Sequence, residues 1–146
     1  MIRKILVAID GSDCAKRALD FALDLAHKYS AEIQLITIIP PCFLPSQSMY
    51  LIKSEAIDDC IKQLETAFRG ILSEADEKVK KEKPYLKAST KLETGDPGEK
   101  ILETAKRGSF DIIVMGSRGL GRRDYALGSV SSKVADHAPC PLLIIK

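Results

Sequence analysis

The sequence predicts an α/β fold in which a doubly wound, Rossmann-like parallel sheet carries helices on both faces. Five short runs rich in Val, Ile and Leu are typical of buried strands, and segments with apolar residues at helical spacing separate them. Clusters of Gly, Pro and Asp mark the turns between the two kinds of segment. The chain has 146 residues, and we therefore expect a single domain over residues 1–146.

The N-terminal part of the chain predicts a strand, a helix and a second strand. The continuous apolar run Lys4–Ile9 is a buried strand, and the turn Asp10–Ser12 ends in a residue suited to cap a helix. Small and apolar residues then recur at helical spacing over Asp13–Ser30. Ile33–Ile39 is the second strand, and the prolines after it predict an irregular segment to about Tyr50. Disorder and a lid over the crevice are the two interpretations of residues 40–54.

The middle of the chain predicts one long helix followed by a less buried strand. Apolar residues recur every three or four positions over Ser54–Lys83, and Pro84 ends that helix. We expect this stripe to pack in the core, and its members are Ile57, Ile61, Leu64, Phe68, Ile71, Ala75 and Val79. The alternation over Leu86–Glu93 is weak, which indicates a strand with partial exposure.

The C-terminal part predicts two more strands, each after a short helix. A turn at Gly95–Gly98 opens a helix that ends near Arg107, because Pro suits an early helical position. The apolar run Asp111–Met115 is the fourth strand, and the glycine-rich loop Gly116–Gly128 leads from it into the last helix. Leu142–Ile145 is the closing strand.

Charge and cysteine usage exclude several classes of function. The net charge of +2 comes from basic residues scattered among acidic ones, so we expect no nucleic-acid partner. No apolar run is long enough for a signal core or a membrane span, so we expect no membrane association. The cysteines at 14, 42, 60 and 140 lack the spacing of a metal site. We therefore expect reduced thiols, with Cys140 buried, and a cytoplasmic location.

The loop Gly116–Gly128 is the main functional signal in the sequence. A strand that feeds a glycine-rich loop and then a helix forms an anion site, because free N–H groups at the helix start point at the ligand. Together with the turn Asp10–Ser12, the loop should lie beyond the carboxyl ends of the central strands, where such sheets bind ligands. The loop is not a Walker motif, and a dinucleotide fingerprint starting at Gly119 fails because its third glycine would fall on Asp124.

Five stretches together resemble the universal stress protein family. They are V-A-I-D-G-S at 7–12, G-D-P at 95–97, M-G-S-R-G at 115–119, L-G-S-V-S at 127–131 and H-A-P-C-P at 137–141. ATP-binding members of the family carry G-x-x-G, nine residues and then G-[ST]. Here eight residues separate the second and third of these glycines, so the loop is one residue shorter.

The resemblance implies a five-stranded parallel sheet in the order 3-2-1-4-5, similar to adenine nucleotide alpha hydrolases. It also implies a homodimer formed by the last strands, which here comprise Leu142, Leu143, Ile144 and Ile145. In ATP-binding members the glycine loop and the following helix start hold the phosphates. The positions implied for the nucleotide are Ala8, Asp10, Ile38, Met115, Gly116, Arg118, Gly119, Gly128, Ser129, Val130 and Ser131.

Two of these positions have specific roles in the resemblance. Ile38 would meet the adenine, and Asp10 would lie near the ribose and hold Mg²⁺ with the nucleotide. The residues alone leave a second interpretation of Asp10 open, in which it only caps the turn into the first helix. Arg118, Arg122 and Arg123 could add charge-assisted contacts to phosphate, although an arginine on such a loop can equally be solvated.

The sequence therefore predicts an ATP-binding regulator in the stress response that acts through a protein partner. One alternative is a protein-interaction module of the same family that binds no ATP, or binds a smaller ligand such as AMP. A second alternative is a slow Mg²⁺-dependent ATPase that uses Asp10. No nucleophile, base and orienting group can be placed at one site, so we expect at most weak ATP hydrolysis and no dedicated catalytic residue.

Overall fold

The computed structural model describes residues 1–41, 54–119 and 127–146, apart from the side chain of residue 54. Each predicted helix and strand is present, with ends that lie within two residues of the predicted ones. In chain order the elements are β1 (Lys4–Ala8), α1 (Asp13–Tyr29), β2 (Glu32–Ile39), α2 (Ser54–Glu82), β3 (Ala88–Thr94), α3 (Pro97–Gly108), β4 (Ile112–Gly116), α4 (Ser129–His137) and β5 (Leu142–Ile145).

The strands form one five-stranded parallel sheet in the order β3-β2-β1-β4-β5, which confirms the predicted fold class. The chain first extends the sheet from β1 through β2 to β3. It then returns to the other side of β1 and adds β4 and β5. The strand order therefore reverses between β1 and β4, and in such sheets the crevice at this point binds ligands.

The helices cover both faces of the sheet. Val7 of β1 faces the layer formed by α1 and α2, where it packs in a cluster with Leu23 and Val79. Its neighbour Leu6 faces the opposite layer, where Ile101 of α3 lies in the second cluster. Successive side chains of a strand point to opposite faces. Burial on both faces explains why the central strands are continuous apolar runs and do not alternate with polar residues.

The long helix α2 departs from the prediction that its stripe is core throughout. Val79 and Ala75 are buried, and Leu72, which lies outside the predicted stripe, is buried with them. Phe68, by contrast, is only half-buried and lines a cavity. The helix has 29 residues and is therefore about 43 Å long, whereas the eight residues of β2 span only about 26 Å. A helix that is longer than the sheet cannot pack its whole length against strands.

The structure also tests the expected burial of Cys140 and the length and apolar character of the helices. Cys140 is half-buried, so the prediction of a buried cysteine is wrong, because the turn that contains it lies at the edge of the sheet before β5. Burial nevertheless raises the pKa of its thiol, with a smaller contribution from the Asp111 carboxylate. Within the described ranges, no helix combines the length and the apolar character that a membrane span requires.

Candidate functional site

A cavity of about 330 Å³ opens at the carboxyl ends of β1 and β4, where the strand order reverses. Every site position implied by the sequence lies in its wall. These residues are Ala8, Asp10, Ile38, Met115, Gly116, Arg118, Gly119, Gly128, Ser129, Val130 and Ser131. Arg122 and Arg123 lie outside the described residues, as does most of the segment considered as a lid. The structure thus brings the two ends of the glycine loop close to the turn Asp10–Ser12, which follows β1.

Asp10 connects the first turn with the glycine loop. Its Oδ1 accepts a hydrogen bond from the Ser12 backbone N–H at 2.9 Å, which closes the turn into α1. Its Oδ2 lies 2.8 Å from the position that a Cβ would occupy at Gly119. One carboxylate oxygen therefore stabilises the turn while the other faces the loop, and both interpretations of Asp10 from the sequence are compatible with this geometry. Gly11, which lies between Asp10 and Ser12, has φ +83°, a conformation that favours glycine.

Hydrogen bonds hold the two described ends of the glycine loop together. The Ser117 carbonyl accepts from the Gly128 N–H at 2.8 Å and from the Ser131 hydroxyl at 2.7 Å. The same hydroxyl lies 3.1 Å from the Gly128 carbonyl oxygen, and Ser131 is only 2% exposed. The hydroxyl proton of Ser131 is therefore used within the protein, and the group that this residue can offer to a ligand is its backbone N–H.

The start of α4 differs from the starts of α1 and α3. Ser12 caps α1 by accepting from Ala15 N, and Asp96 caps α3 by accepting from Glu99 N. The N-cap of α4 is Gly128, whose backbone is extended and which has no side chain to accept a hydrogen bond.

The first hydrogen bond within α4 runs from Ser132 N to the Gly128 carbonyl oxygen. The N–H groups of Ser129, Val130 and Ser131 precede it and have no intrahelical partner. All three residues line the cavity. The helix dipole adds partial positive charge at the same point, so this end of the cavity suits an anion.

Gly116 has a packing role in addition to its place in the cavity wall. A Cβ at this position would lie 2.7 Å from Cys14 Cβ and 3.1 Å from the backbone nitrogen of Ala15. Real Cβ atoms essentially never approach another atom more closely than 3.0 Å. The absence of a side chain at Gly116 therefore allows the end of β4 to lie against the first turn of α1, which brings the loop close to Asp10.

Lys133 of α4 is paired with two carboxylates at the start of α3. Lys133 Nζ lies 3.0 Å from Asp96 Oδ1 and 3.2 Å from Glu99 Oε1. The pKa of Asp96 is lowered, first by the hydrogen bond from the Glu99 N–H and then by the hydrogen bond from Lys133, while these two carboxylates raise the pKa of Lys133. These contacts join α3 to α4 across the surface. Lys133 is therefore not the counterpart of the phosphate-binding lysine in a Walker motif.

No cluster of His, Cys, Asp and Glu within the described ranges has an arrangement that could hold a metal ion. Asp10 places a carboxylate oxygen beside Gly119. A divalent cation at this position would therefore need most of its oxygen ligands from a bound ligand and from water.

Sequence reasoning missed Phe68, Pro40 and Pro97, which also line the cavity. The spacing of Phe68 in α2 is that of a packed helix face and therefore predicts a core residue. The signal that could have identified it is length, since α2 extends about 17 Å beyond the span of β2. The prolines lie in turns, where the sequence gives no indication of which side faces a ligand.

A second depression, of about 490 Å³, lies on the opposite end of the sheet and is the larger of the two. Its wall includes Lys87 and Lys91, but Lys87 pairs with Glu32 at 2.7 Å and Lys91 with Glu93 at 2.8 Å. Lys4 donates to the Gly108 carbonyl at 2.8 Å. Because these cations are used within the protein and the depression lies away from the carboxyl ends of the strands, we take the smaller cavity as the candidate functional site.

The fold and the crevice define a doubly wound α/β protein in which the ends of a glycine-rich loop lie at the topological switch point. The chain belongs to the universal stress protein family, whose model matches residues 1–146. The universal stress protein YxiE of Bacillus subtilis is 35% identical over the full length of both chains.

Two solved structures of the family share this fold. A universal stress protein in complex with cAMP is 26% identical, with a TM-score of 0.72 over 99% of this chain and 97% of that one. A family member from Arabidopsis thaliana with AMP bound is 24% identical, with a TM-score of 0.71 over 99% of this chain and 91% of that one. Known relatives of this fold therefore include proteins that bind adenine nucleotides.

Proposed function

We propose that this protein is an ATP-binding regulator of the stress response, in which nucleotide occupancy alters the surface offered to a protein partner. The observation that carries the proposal is the start of α4, where three residues whose N–H groups have no intrahelical partner line the cavity and Gly128 provides no capping side chain. The cAMP complex of a relative supports an adenine nucleotide as the ligand.

The phosphates would lie between the start of α4 and the glycine loop. Backbone N–H groups and the helix dipole can hold a triphosphate without a Walker lysine. Arg118 lies in the cavity wall and adds positive charge at this end. Asp10 places a carboxylate beside Gly119, and this negative charge would repel a polyphosphate. We propose that Mg²⁺ bound with the nucleotide offsets that repulsion, with Asp10 as one of its ligands.

Replacement of Ser129 by proline tests the proposal, because Ser129 occupies the first position of α4. Proline is favoured at this position, and the extended backbone of Gly128 is compatible with a following proline. Ser129→Pro therefore removes one N–H donor and leaves the helix intact. Ser129→Ala is the matched control, since it removes only the hydroxyl.

Calorimetric titration with ATP and Mg²⁺, after bound nucleotide has been stripped, provides the measurement. We expect micromolar binding by the unsubstituted protein and by Ser129→Ala. Ser129→Pro should bind at least about tenfold more weakly, since a hydrogen bond to a charged group contributes about 1.5–3 kcal/mol. Equal affinities in the two variants would refute the placement of the phosphates at α4.

The same titration decides between ATP and the alternative ligand. The loop between Gly119 and Gly128 is one residue shorter than in ATP-binding members, which favours a smaller ligand as the second candidate. Binding of AMP without binding of millimolar ATP would establish the AMP-binding alternative. If neither ATP nor AMP binds, the result would favour a protein-interaction module that acts through protein contacts alone. Steady turnover of ATP that requires Mg²⁺ and is lost in Asp10→Ala would instead indicate the ATPase.

We also propose that the protein is a cytoplasmic homodimer joined through β5. Among the described strands β5 is paired only with β4, so one edge of its backbone has no strand beside it. Leu142, Leu143 and Ile144 are half-buried within one subunit. An apolar edge strand of this kind is a pairing surface for a second copy. Sedimentation at micromolar concentration tests this, and a monomer would contradict the proposal.

A further inference from the structure

Phe68 of α2 lies in the wall of the cavity. Its helix, α2, packs against β2 and β3, whereas α4 begins beyond β4. Ile71, three residues further along α2, has its Cδ1 only 3.3 Å from the position that a Cβ would occupy at Gly11. Residues three apart share a helix face. The contact between Ile71 and the glycine turn thus holds α2 against the crevice, with Phe68 in its wall.

The cavity has a polar end and an apolar end. The uncapped start of α4 and the described ends of the glycine loop form the polar end. Ile38 and Pro40 form the apolar end, beside the carboxyl terminus of β2, and Phe68 adds a third apolar side chain to the wall. Because β1 lies between β2 and β4, the two ends are separated by two strand spacings, or about 10 Å. A ligand with an anionic group at one end and an apolar, flat group at the other would match this arrangement.

From this arrangement, and resting on the proposed nucleotide function, we infer that Phe68 stacks on the base and is a specificity-determining residue of the site. A phenylalanine ring offers a flat apolar face, and every nucleobase has a π-face that can pack against it. Phe68 is half-buried and lines the cavity. The chemical class that this wall recognises is a planar aromatic heterocycle carried on a phosphorylated sugar.

The substitution Phe68→Leu separates recognition of the base from recognition of the phosphates. Leucine keeps an apolar side chain at this position and removes the aromatic face. ATP and inorganic tripolyphosphate are the two probes, since only ATP carries a base. We expect the affinity for ATP to fall about tenfold and the affinity for tripolyphosphate to stay unchanged. Phe21→Leu is the control, because Phe21 is 56% exposed on α1 and does not line the cavity.

A second variant, Phe68→Trp, gives a direct signal of stacking. The chain contains no tryptophan, so the new residue would be the single source of indole fluorescence. ATP should change its emission at the concentrations that saturate binding, and tripolyphosphate should not.

The outcomes distinguish this inference from the proposed function. If the unsubstituted protein binds ATP while Phe68→Leu binds it equally well and Phe68→Trp gives no signal, the inference is overturned and the proposed function stands. An equal loss of affinity for ATP and tripolyphosphate in Phe68→Leu would assign a purely structural role to the ring. If the unsubstituted protein binds no ATP, both the inference and the proposed function fail.

Discussion

Substitution of Gly116 by alanine is the most direct test of how the end of β4 packs against α1. The added Cβ would lie 2.7 Å from Cys14 Cβ, 3.0 Å from the carbonyl carbon of Cys14 and 3.1 Å from Ala15 N. Two of these neighbours are backbone atoms in the first turn of α1, and Ser12 holds that turn by its capping hydrogen bond. The clash therefore cannot be relieved by rotation of a flexible side chain.

The expected cost follows from the contacts. Overpacking of a rigid interior typically costs about 1–3 kcal/mol, and we expect the upper end here because backbone has to move. For a chain of this length the melting temperature should fall by about 3 °C per kcal/mol, which gives a decrease of about 9 °C. The additional change Cys14→Ala should not restore stability, because alanine retains the Cβ in the closest contact.

Gly70 provides a matched control with the opposite expected sign. It lies inside α2, and a Cβ there would have no neighbouring atom within 4 Å. Gly70→Ala should therefore stabilise the protein by about 0.5–1 kcal/mol, since glycine is unfavourable in a helix interior. Urea denaturation followed by circular dichroism measures both variants. A Gly116→Ala protein as stable as the unsubstituted one would refute the proposed packing of β4 against α1.

Three further predictions concern the site and its surroundings. Ser131→Ala should cost about 1 kcal/mol in urea denaturation, because the Ser117 carbonyl loses one donor and keeps the other, Gly128 N. Asp96→Ala should cost about 1 kcal/mol at neutral pH through loss of the cap on Glu99 N. The pKa of Asp96 is lowered in the folded state, so this difference should be complete above its ordinary value of 3.8 and shrink as the pH falls below it. ATP at 100 times its dissociation constant should stabilise the protein by about 2.7 kcal/mol, or about 8 °C in thermal melting, and no rise would argue against binding.

The sequence predicted the elements well because their signals are local. The run Lys4–Ile9 and the helical spacing after Asp13 need no knowledge of the rest of the chain. The order of the strands in the sheet, by contrast, has no local signal in the sequence. The pairing of Val7 with Leu35 on one side and with Val114 on the other is a long-range property, and apolar runs alone do not specify it. The correct order came from resemblance to a family.

The candidate site was predictable in part for the same reason. The glycine pattern identifies the loop and the helix start, because the chemistry of an anion site is encoded in adjacent residues. The packing role of Gly116 depends on Cys14, which is distant in the sequence. The place of Phe68 depends on where α2 crosses the sheet, and its spacing resembles that of a core residue. Contacts between separate elements therefore carry the part of the site that local patterns do not contain.

A comparison of the N-caps of α1, α3 and α4 suggests why the glycine loop ends in a glycine at position 128. A serine or aspartate at position 128 would cap α4 and stabilise it by about 1 kcal/mol, as Ser12 and Asp96 do for their helices. Such a side chain would also satisfy one of the N–H groups that face the cavity. A carboxylate there would add a second negative charge beside that of Asp10. Gly128 leaves the donors of the first turn available, while Ser131 fixes the same turn from the buried side through Ser117. The Ser131 hydroxyl therefore fixes the helix start through the Ser117 carbonyl, while the first-turn N–H groups keep no intrahelical partner.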